Sequence, residues 1–197
     1  MTEPLRIGVY GGTFDPVHHA HIEAARAARD VAELDLVLFV VAALPPHKRD
    51  GVYAPVEDRL AMVHAALEAE PGMVASSVEI KRRGVSYTID TLDILHAQHP
   101  GAELLLIVGQ DSLIDLPTWR DLPGILRHAR LLVVPRPGTH AAVPQELAGR
   151  YRMVPFKETP LSSTTLRAQL AAGEDVSALL PPAVERYVRE KGLYDVR

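Results

Sequence analysis

The sequence predicts an α/β protein, a single doubly wound domain with a mainly parallel sheet and helices on both faces. Two runs carry that expectation. Leu36–Val41 and residues 104–108 are apolar at every position, the pattern of strands covered on both sides. Helical stretches alternate with these and other strand-like segments along the whole chain. No internal repeat, low-complexity tract or linker interrupts it. Residues 1–197 therefore read as one domain, with a C-terminal helical part (about 161–197) packed on it.

A first strand covers residues 5–10 and is followed by the glycine turn Gly11-Gly12. Asp15 reads as an N-cap and Pro16 as the first residue of a helix running to residue 29, rich in alanine at 24–28. The strand Leu36–Val41 leads into a loop over 43–53 that holds Pro45, Pro46, His47 and Lys48. A helix over 55–70 has Glu57 and Asp58 in its first turn, where negative charge is favoured. Residues 74–80 alternate apolar and polar, as in an edge strand. The basic cluster Lys81-Arg82-Arg83 follows, and Ser86-Tyr87-Thr88 reads as the cap of a helix ending near Gln98. The strand over 104–108 closes on Gly109-Gln110-Asp111. Next come a short helix over 123–128, a strand over 131–134, an irregular excursion over 138–150 and a short strand over 153–156. A helix opening at 161–167 is ended by Gly173, and a last helix over 181–191 is stopped by Gly192. In doubly wound sheets ligands bind beyond the carboxyl ends of the strands. The glycine turn, the Lys48 loop, Gly109-Gln110-Asp111 and Arg136 all follow strands and should meet on one rim.

Composition narrows the function classes. Of 197 residues 47% are hydrophobic, ordinary for a globular protein, and 21 basic against 25 acidic residues give a net charge of −4. That balance gives no reason to expect nucleic acid or a membrane as partner. The absence of cysteine excludes disulfides, thiolate catalysis and cysteine-based metal sites. No secretory leader and no apolar run of about 20 residues is present, so a cytoplasmic protein is expected.

The chemistry concentrates in Gly11-Gly12-Thr13-Phe14-Asp15-Pro16-Val17-His18-His19-Ala20-His21. Free N–H groups at a helix start make an anion site, and His18 and His21, three apart, share one helical face beside it. Two better-known phosphate motifs fail. The dinucleotide fingerprint lacks its third glycine, and no glycine-lysine-Ser/Thr sequence exists for a Walker loop. Considered singly, the histidines could be ordinary surface residues, Lys81-Arg82-Arg83 a solvated face, Trp119 a core aromatic and Arg136 a strand-end cap. Likewise, Ser162-Ser163-Thr164-Thr165-Leu166-Arg167 alone is a common helix cap.

Together the motifs resemble the nucleotidyltransferase superfamily that carries an H-x-G-H motif, with Ala20 standing where that motif has glycine. Ser162 to Arg167 is similar to its second signature, S-S-T-x-x-R. Pro45-Pro46-His47-Lys48, Ser86-Tyr87-Thr88, Gly109-Gln110-Asp111-Ser112-Leu113, Pro117-Thr118-Trp119 and Arg136-Pro137-Gly138 resemble one branch, the bacterial nicotinate-nucleotide adenylyltransferases. The resemblance implies a Rossmann-like domain that transfers adenylyl from ATP to nicotinate mononucleotide, giving nicotinate adenine dinucleotide and pyrophosphate in NAD biosynthesis. It implies catalytic roles for His18, His21, Lys48 and Arg167. ATP would be bound by Gly11, Gly12, Thr13, Phe14, His18, His21, Gly109, Asp111, Ser162, Ser163, Thr164 and Arg167, and the acceptor by Thr13, Lys48, Thr88, Trp119 and Arg136. Backbone N–H groups near Thr88 and Trp119 would hold the acceptor carboxylate. Mg²⁺ would arrive with ATP, and no protein metal site is expected. The chain would be a monomer or homodimer. Two alternatives remain open at this point. One is a sister enzyme using nicotinamide mononucleotide or phosphopantetheine; the other is a nucleotide-binding module without catalysis.

Overall fold

The computed structural model describes residues 3–45, 53–138, 143–157 and 159–195. Strands β1 (Arg6–Gly12), β2 (Leu36–Val41), β3 (Met73–Ser76), β4 (Glu103–Gly109), β5 (Ala129–Val134) and β6 (Tyr151–Met153) form one sheet. Their order is β3-β2-β1-β4-β5-β6, and every neighbouring pair is parallel. The connecting helices are α1 (His19–Ala32), α2 (Val56–Leu67), α3 (Val78–Arg82), α4 (Thr88–Gln98), α5 (Gln110–Asp115), α6 (Leu122–His128), α7 (Ser163–Ala171) and α8 (Pro182–Lys191).

The alternation of side chains along a strand divides the core between the two faces. Tyr10, Val37, Phe39, Ile107 and Leu132 pack under α1, α2, α7 and α8. Val9, Leu38, Val40, Leu106 and Val133 pack under α3, α4, α5 and α6. Both sets are buried, which is why the strand sequences carry almost no polar residue; each such side chain contributes about 1.5–3 kcal/mol. The chain builds outward from β1 to β3 on one side and then crosses to β4 on the other. The switch point therefore falls between β1 and β4, at the carboxyl ends marked by Gly12 and Gly109. On the outer side, Tyr187 of α8 donates its hydroxyl to Asp58 of α2 at 2.8 Å.

Several boundaries differ from the sequence expectation. Helix α1 begins at His19, with His18 as its extended N-cap residue, so Asp15 is not the cap and Pro16 is not in the helix. The Asp15–Pro16 bond is cis, and the Asp15 carboxylate is occupied elsewhere. The alternating stretch 74–80 does not stay a strand. Ser76 Oγ accepts the Val78 N–H at 3.4 Å, and the chain turns into α3, burying Val78 and Glu79 side by side. Ser86 does not cap α4; its Oγ accepts the N–H groups of Ala43 and Leu44 at 3.0 and 3.3 Å. Strand β6 pairs two residues earlier than expected, and the Val154 N–H adds one further bond to Val133 O at 2.8 Å. Helix α5, directly after Gly109, had no counterpart in the expectation. Among the described residues no helix is long and apolar enough to cross a membrane.

Candidate active site

A cavity of about 770 Å³ opens at the carboxyl ends of β1 and β4. The first motif contributes Gly11, Gly12, Thr13, Phe14, His18 and His21 to its wall. Gly109, Asp111 and Arg136 come from the strand ends, Thr88 and Trp119 from the opposite lip, and Ser162, Ser163 and Thr164 from the last motif. Fourteen sequence-predicted positions thus share one space. Arg167 is set back from that wall, and Lys48 lies outside the described residues.

The glycine turn is shaped by what packs beneath it. Phe14 adopts a left-handed φ of 49° and folds its ring into the core against Tyr10 and Phe39, and it meets the His21 ring edge-to-face with centroids 5.2 Å apart. A Cβ on Gly12 would lie 2.8 Å from the Phe14 ring, so only glycine lets this wedge close. The Asp15 carboxylate, almost wholly buried, accepts the N–H groups of Tyr53 and Ala54 at 2.8 and 3.1 Å and the Tyr194 hydroxyl at 2.7 Å. Burial first, and Asp15 second, push the Tyr194 phenol well above its ordinary pKa. Arg59, 1% exposed, donates Nη1 to Thr13 O and Ala42 O at 2.8 Å each and Nε to Ala54 O at 3.2 Å. It ties the ends of β1 and β2 to the start of α2. Burial lowers its pKa, opposed by Asp15.

The histidines form a unit. The His18 N–H donates to His21 Nδ1 at 3.3 Å, so a neutral His21 carries its proton on Nε2. The two rings stack with centroids 3.7 Å apart. Burial lowers the His18 pKa to about 3, helped by the charges of Arg136 and His19, so His18 is neutral at physiological pH. An unfolded histidine protonates near 6.5, so between that pH and about 3 the unfolded chain holds the extra proton. Stability should therefore fall as pH drops through this window, by at most ~1.4 kcal/mol per unit. Thermal melts at pH 7 and pH 5 check this: His18→Gln should show a smaller drop than wild type.

The last motif grips the first. Ser162 caps α7 by accepting the Thr165 N–H at 3.1 Å, and Ser163 Oγ donates to Pro16 O at 3.0 Å. Arg167 donates to Asp15 O at 2.7 Å and to Thr164 Oγ1 at 3.3 Å, with its guanidinium 4.1 Å above the Tyr53 ring. Across the cavity, Gly109 admits the 3.4 Å ion pair between Arg136 and Asp111; a Cβ there would sit 2.3 Å from Asp111 Oδ1. Arg136 therefore faces the cavity instead of capping β5. The first turn of α4 has no side-chain cap, leaving its N–H groups available beside Thr88. Trp119 is half-buried against the core, and its own N–H is engaged by Leu116 O at 3.0 Å.

Arg59, which braces the site, and Glu79, which lines the cavity, were not in the motif reading, and Ser86, which was, holds Ala43 and Leu44 instead of capping α4. Arg59 had a signal: it stands in line with Met62, Val63 and Ala66, the apolar stripe of α2, where an unpartnered charge is out of place. No three His, Asp or Glu side chains among the described residues converge on a metal position.

With this geometry established, comparison with known proteins is specific. The cytidylyltransferase-like family matches residues 9–169. A Gloeobacter violaceus protein called "Probable nicotinate-nucleotide adenylyltransferase" is 45% identical over 97% of each chain, and one of the same name from Chromobacterium violaceum is 40% identical over 96% of this chain and 98% of its own. In fold, the chain is similar to the Plasmodium falciparum nicotinic acid mononucleotide adenylyltransferase complexed with NaAD. The TM-score is 0.77, with 98% of both chains covered and 17% identity. On these matches the chain belongs to the nicotinate-nucleotide adenylyltransferases, within the cytidylyltransferase-like family.

Proposed function

We propose that this chain transfers the adenylyl group of ATP to nicotinate mononucleotide, and that residues 1–197 act as one unit in doing so. The observation that carries this reading is the meeting of two distant motifs: the stacked pair His18 and His21 and the start of α7 line the same cavity. The acceptor phosphate attacks the α-phosphorus of ATP, and the bond to pyrophosphate breaks. An ionised phosphate needs no base to activate it, so the work is alignment of two anions and stabilisation of charge spread over the transferring group. His21 Nε2–H suits a phosphate oxygen, and His18, held neutral, serves as a hydrogen-bond donor and not as a cation. Lys48 and the N–H groups of Ser163 and Thr164 add donors, with Gly11, Gly12 and Thr13 allowing close approach. Arg167 acts by holding the Asp15 carbonyl and α7 in register as well as by its charge. Asp111 accepts from ribose hydroxyls, Trp119 stacks on the pyridine ring, and the α4 N–H groups at Thr88 receive the ring carboxylate. Phe14 supports the histidines from below.

The side chains around the triphosphate position are donors, and the described residues offer no three-carboxylate cage. That set fits a Mg²⁺ carried by the nucleotide's own oxygens, which would neutralise charge on the triphosphate. Turnover should accordingly vanish with excess EDTA and return with added Mg²⁺.

Pyrophosphate release with ATP and each of three acceptors tests the reading. Nicotinate mononucleotide should be turned over best, ahead of nicotinamide mononucleotide, whose neutral amide is poorly matched to a donors-only subsite, and of phosphopantetheine. Equal or higher kcat/KM with either rival acceptor would overturn it, and ATP binding without product from any of them would favour a binding module. Gly109→Ala, which must displace Asp111 and Arg136, should raise the KM for ATP by roughly tenfold, the scale of one displaced polar contact.

A further inference from the structure

Glu79, on the short helix α3, lines the inner wall of the cavity and is 7% exposed. Thr91 Oγ1 donates to its Oε1 at 2.6 Å and fixes the carboxyl group in place. Its other oxygen, Oε2, is closed off from solvent and accepts no hydrogen bond from the described residues. No cationic side chain among the described residues forms an ion pair with it. Val40, Leu106, Val108 and Ile125 add apolar surface to the lining of the same cavity. Among the described residues this carboxylate has no ion-pair partner, and an unpaired buried charge is costly.

We infer that the ligand supplies the counter-charge: Glu79 recognises the cationic pyridinium ring of the acceptor. This rests on the acceptor assignment proposed above. A pyridine bonded to ribose through its nitrogen is a permanent cation. The acceptor's phosphate and ring carboxylate both require donors, which a carboxylate acting only as acceptor does not provide. Apart from the ribose hydroxyls, which the reduced form of the ligand keeps, the ring charge is the part of that ligand Glu79 attracts, and charge attraction is strong where burial weakens screening. Trp119, lining the same cavity, presents a π face that favours the same charge. Glu79 and Trp119 together would select an oxidised, charged ring over its reduced, neutral counterpart.

The test compares binding of nicotinate mononucleotide with that of the same compound reduced to the uncharged 1,4-dihydropyridine, by calorimetry on the full chain. Wild type should bind the oxidised form more tightly. Glu79→Gln, which keeps the shape and the acceptor for Thr91, should weaken the oxidised form by about tenfold and leave the reduced form and ATP unchanged. Glu79→Met, of similar volume, should do the same and serves if the glutamine variant fails to fold. Equal affinity of wild type for the two forms, or equal weakening of both in the variants, overturns the inference. Failure of wild type to turn over nicotinate mononucleotide at all would instead strike the acceptor assignment.

Discussion

Replacing His21 with alanine is expected to lower kcat by about 100-fold or more while leaving the melting temperature within a few degrees of wild type. The side chain accepts the His18 N–H and lines the cavity, so its loss removes a proposed phosphate contact and releases the N-cap residue from its partner. His18→Ala should cost as much in kcat and somewhat more in stability, because a buried ring stacked at 3.7 Å leaves a void. Initial rates at saturating ATP and acceptor, with circular dichroism as the fold control, decide the matter. Wild-type turnover in either variant would remove the histidines from the mechanism. Since His18 is neutral down to about pH 3, the acid limb of the rate profile should belong to other groups and persist unchanged in His18→Gln.

Arg59→Met is the variant expected to damage the fold most. Its guanidinium satisfies three backbone carbonyls at 2.8–3.2 Å in a position closed to solvent. Methionine fills much of the volume but takes the guanidinium donors away from those carbonyls and the neighbouring charge away from Asp15. The expected loss is about 3–5 kcal/mol, a fall in melting temperature on the order of 10 °C for a chain of this size. At temperatures where the variant stays folded, KM for both substrates should rise, because Thr13 and Ala42 are no longer drawn together. A melting temperature within 2–3 °C of wild type, the range of a ~1 kcal/mol change, would show that the carbonyls find other partners.

The architecture was legible because its strands are apolar on both faces. Leu36–Val41 appears in the structure with the bounds read from sequence, and α8 stops at Gly192, whose φ of 59° needs glycine or asparagine. Local pattern failed where a side chain was taken by something distant. Asp15-Pro16 has the grammar of a helix start, yet that carboxylate serves Tyr53, Ala54 and Tyr194, and the helix waits for His18. The alternation at 74–80 has the period of a strand, but Ser76 bends the backbone into α3. At the site, the convergence of the motif residues on one cavity was legible, because each motif follows a strand or opens a helix at the same rim of the sheet. Arg59 and Glu79 were not, since a charged residue on a helix is by default a surface residue, and only the folded chain shows these two to be enclosed.

The ties between the two ends of the chain carry a consequence for biosynthesis. Ser163 reaches back 147 residues to Pro16, Arg167 reaches 152 to Asp15, and Tyr194 reaches 179 to the Asp15 carboxylate. During translation, β1 and the glycine turn emerge well before these distant partners. The glycine turn of a nascent chain must therefore wait for these ties until 147 to 179 further residues have been made, and such long-range closures are among the slow steps of folding. The proposed site is thus assembled only after α7 and Tyr194 have been made: a chain released before them can hold much of its sheet and still lack these ties.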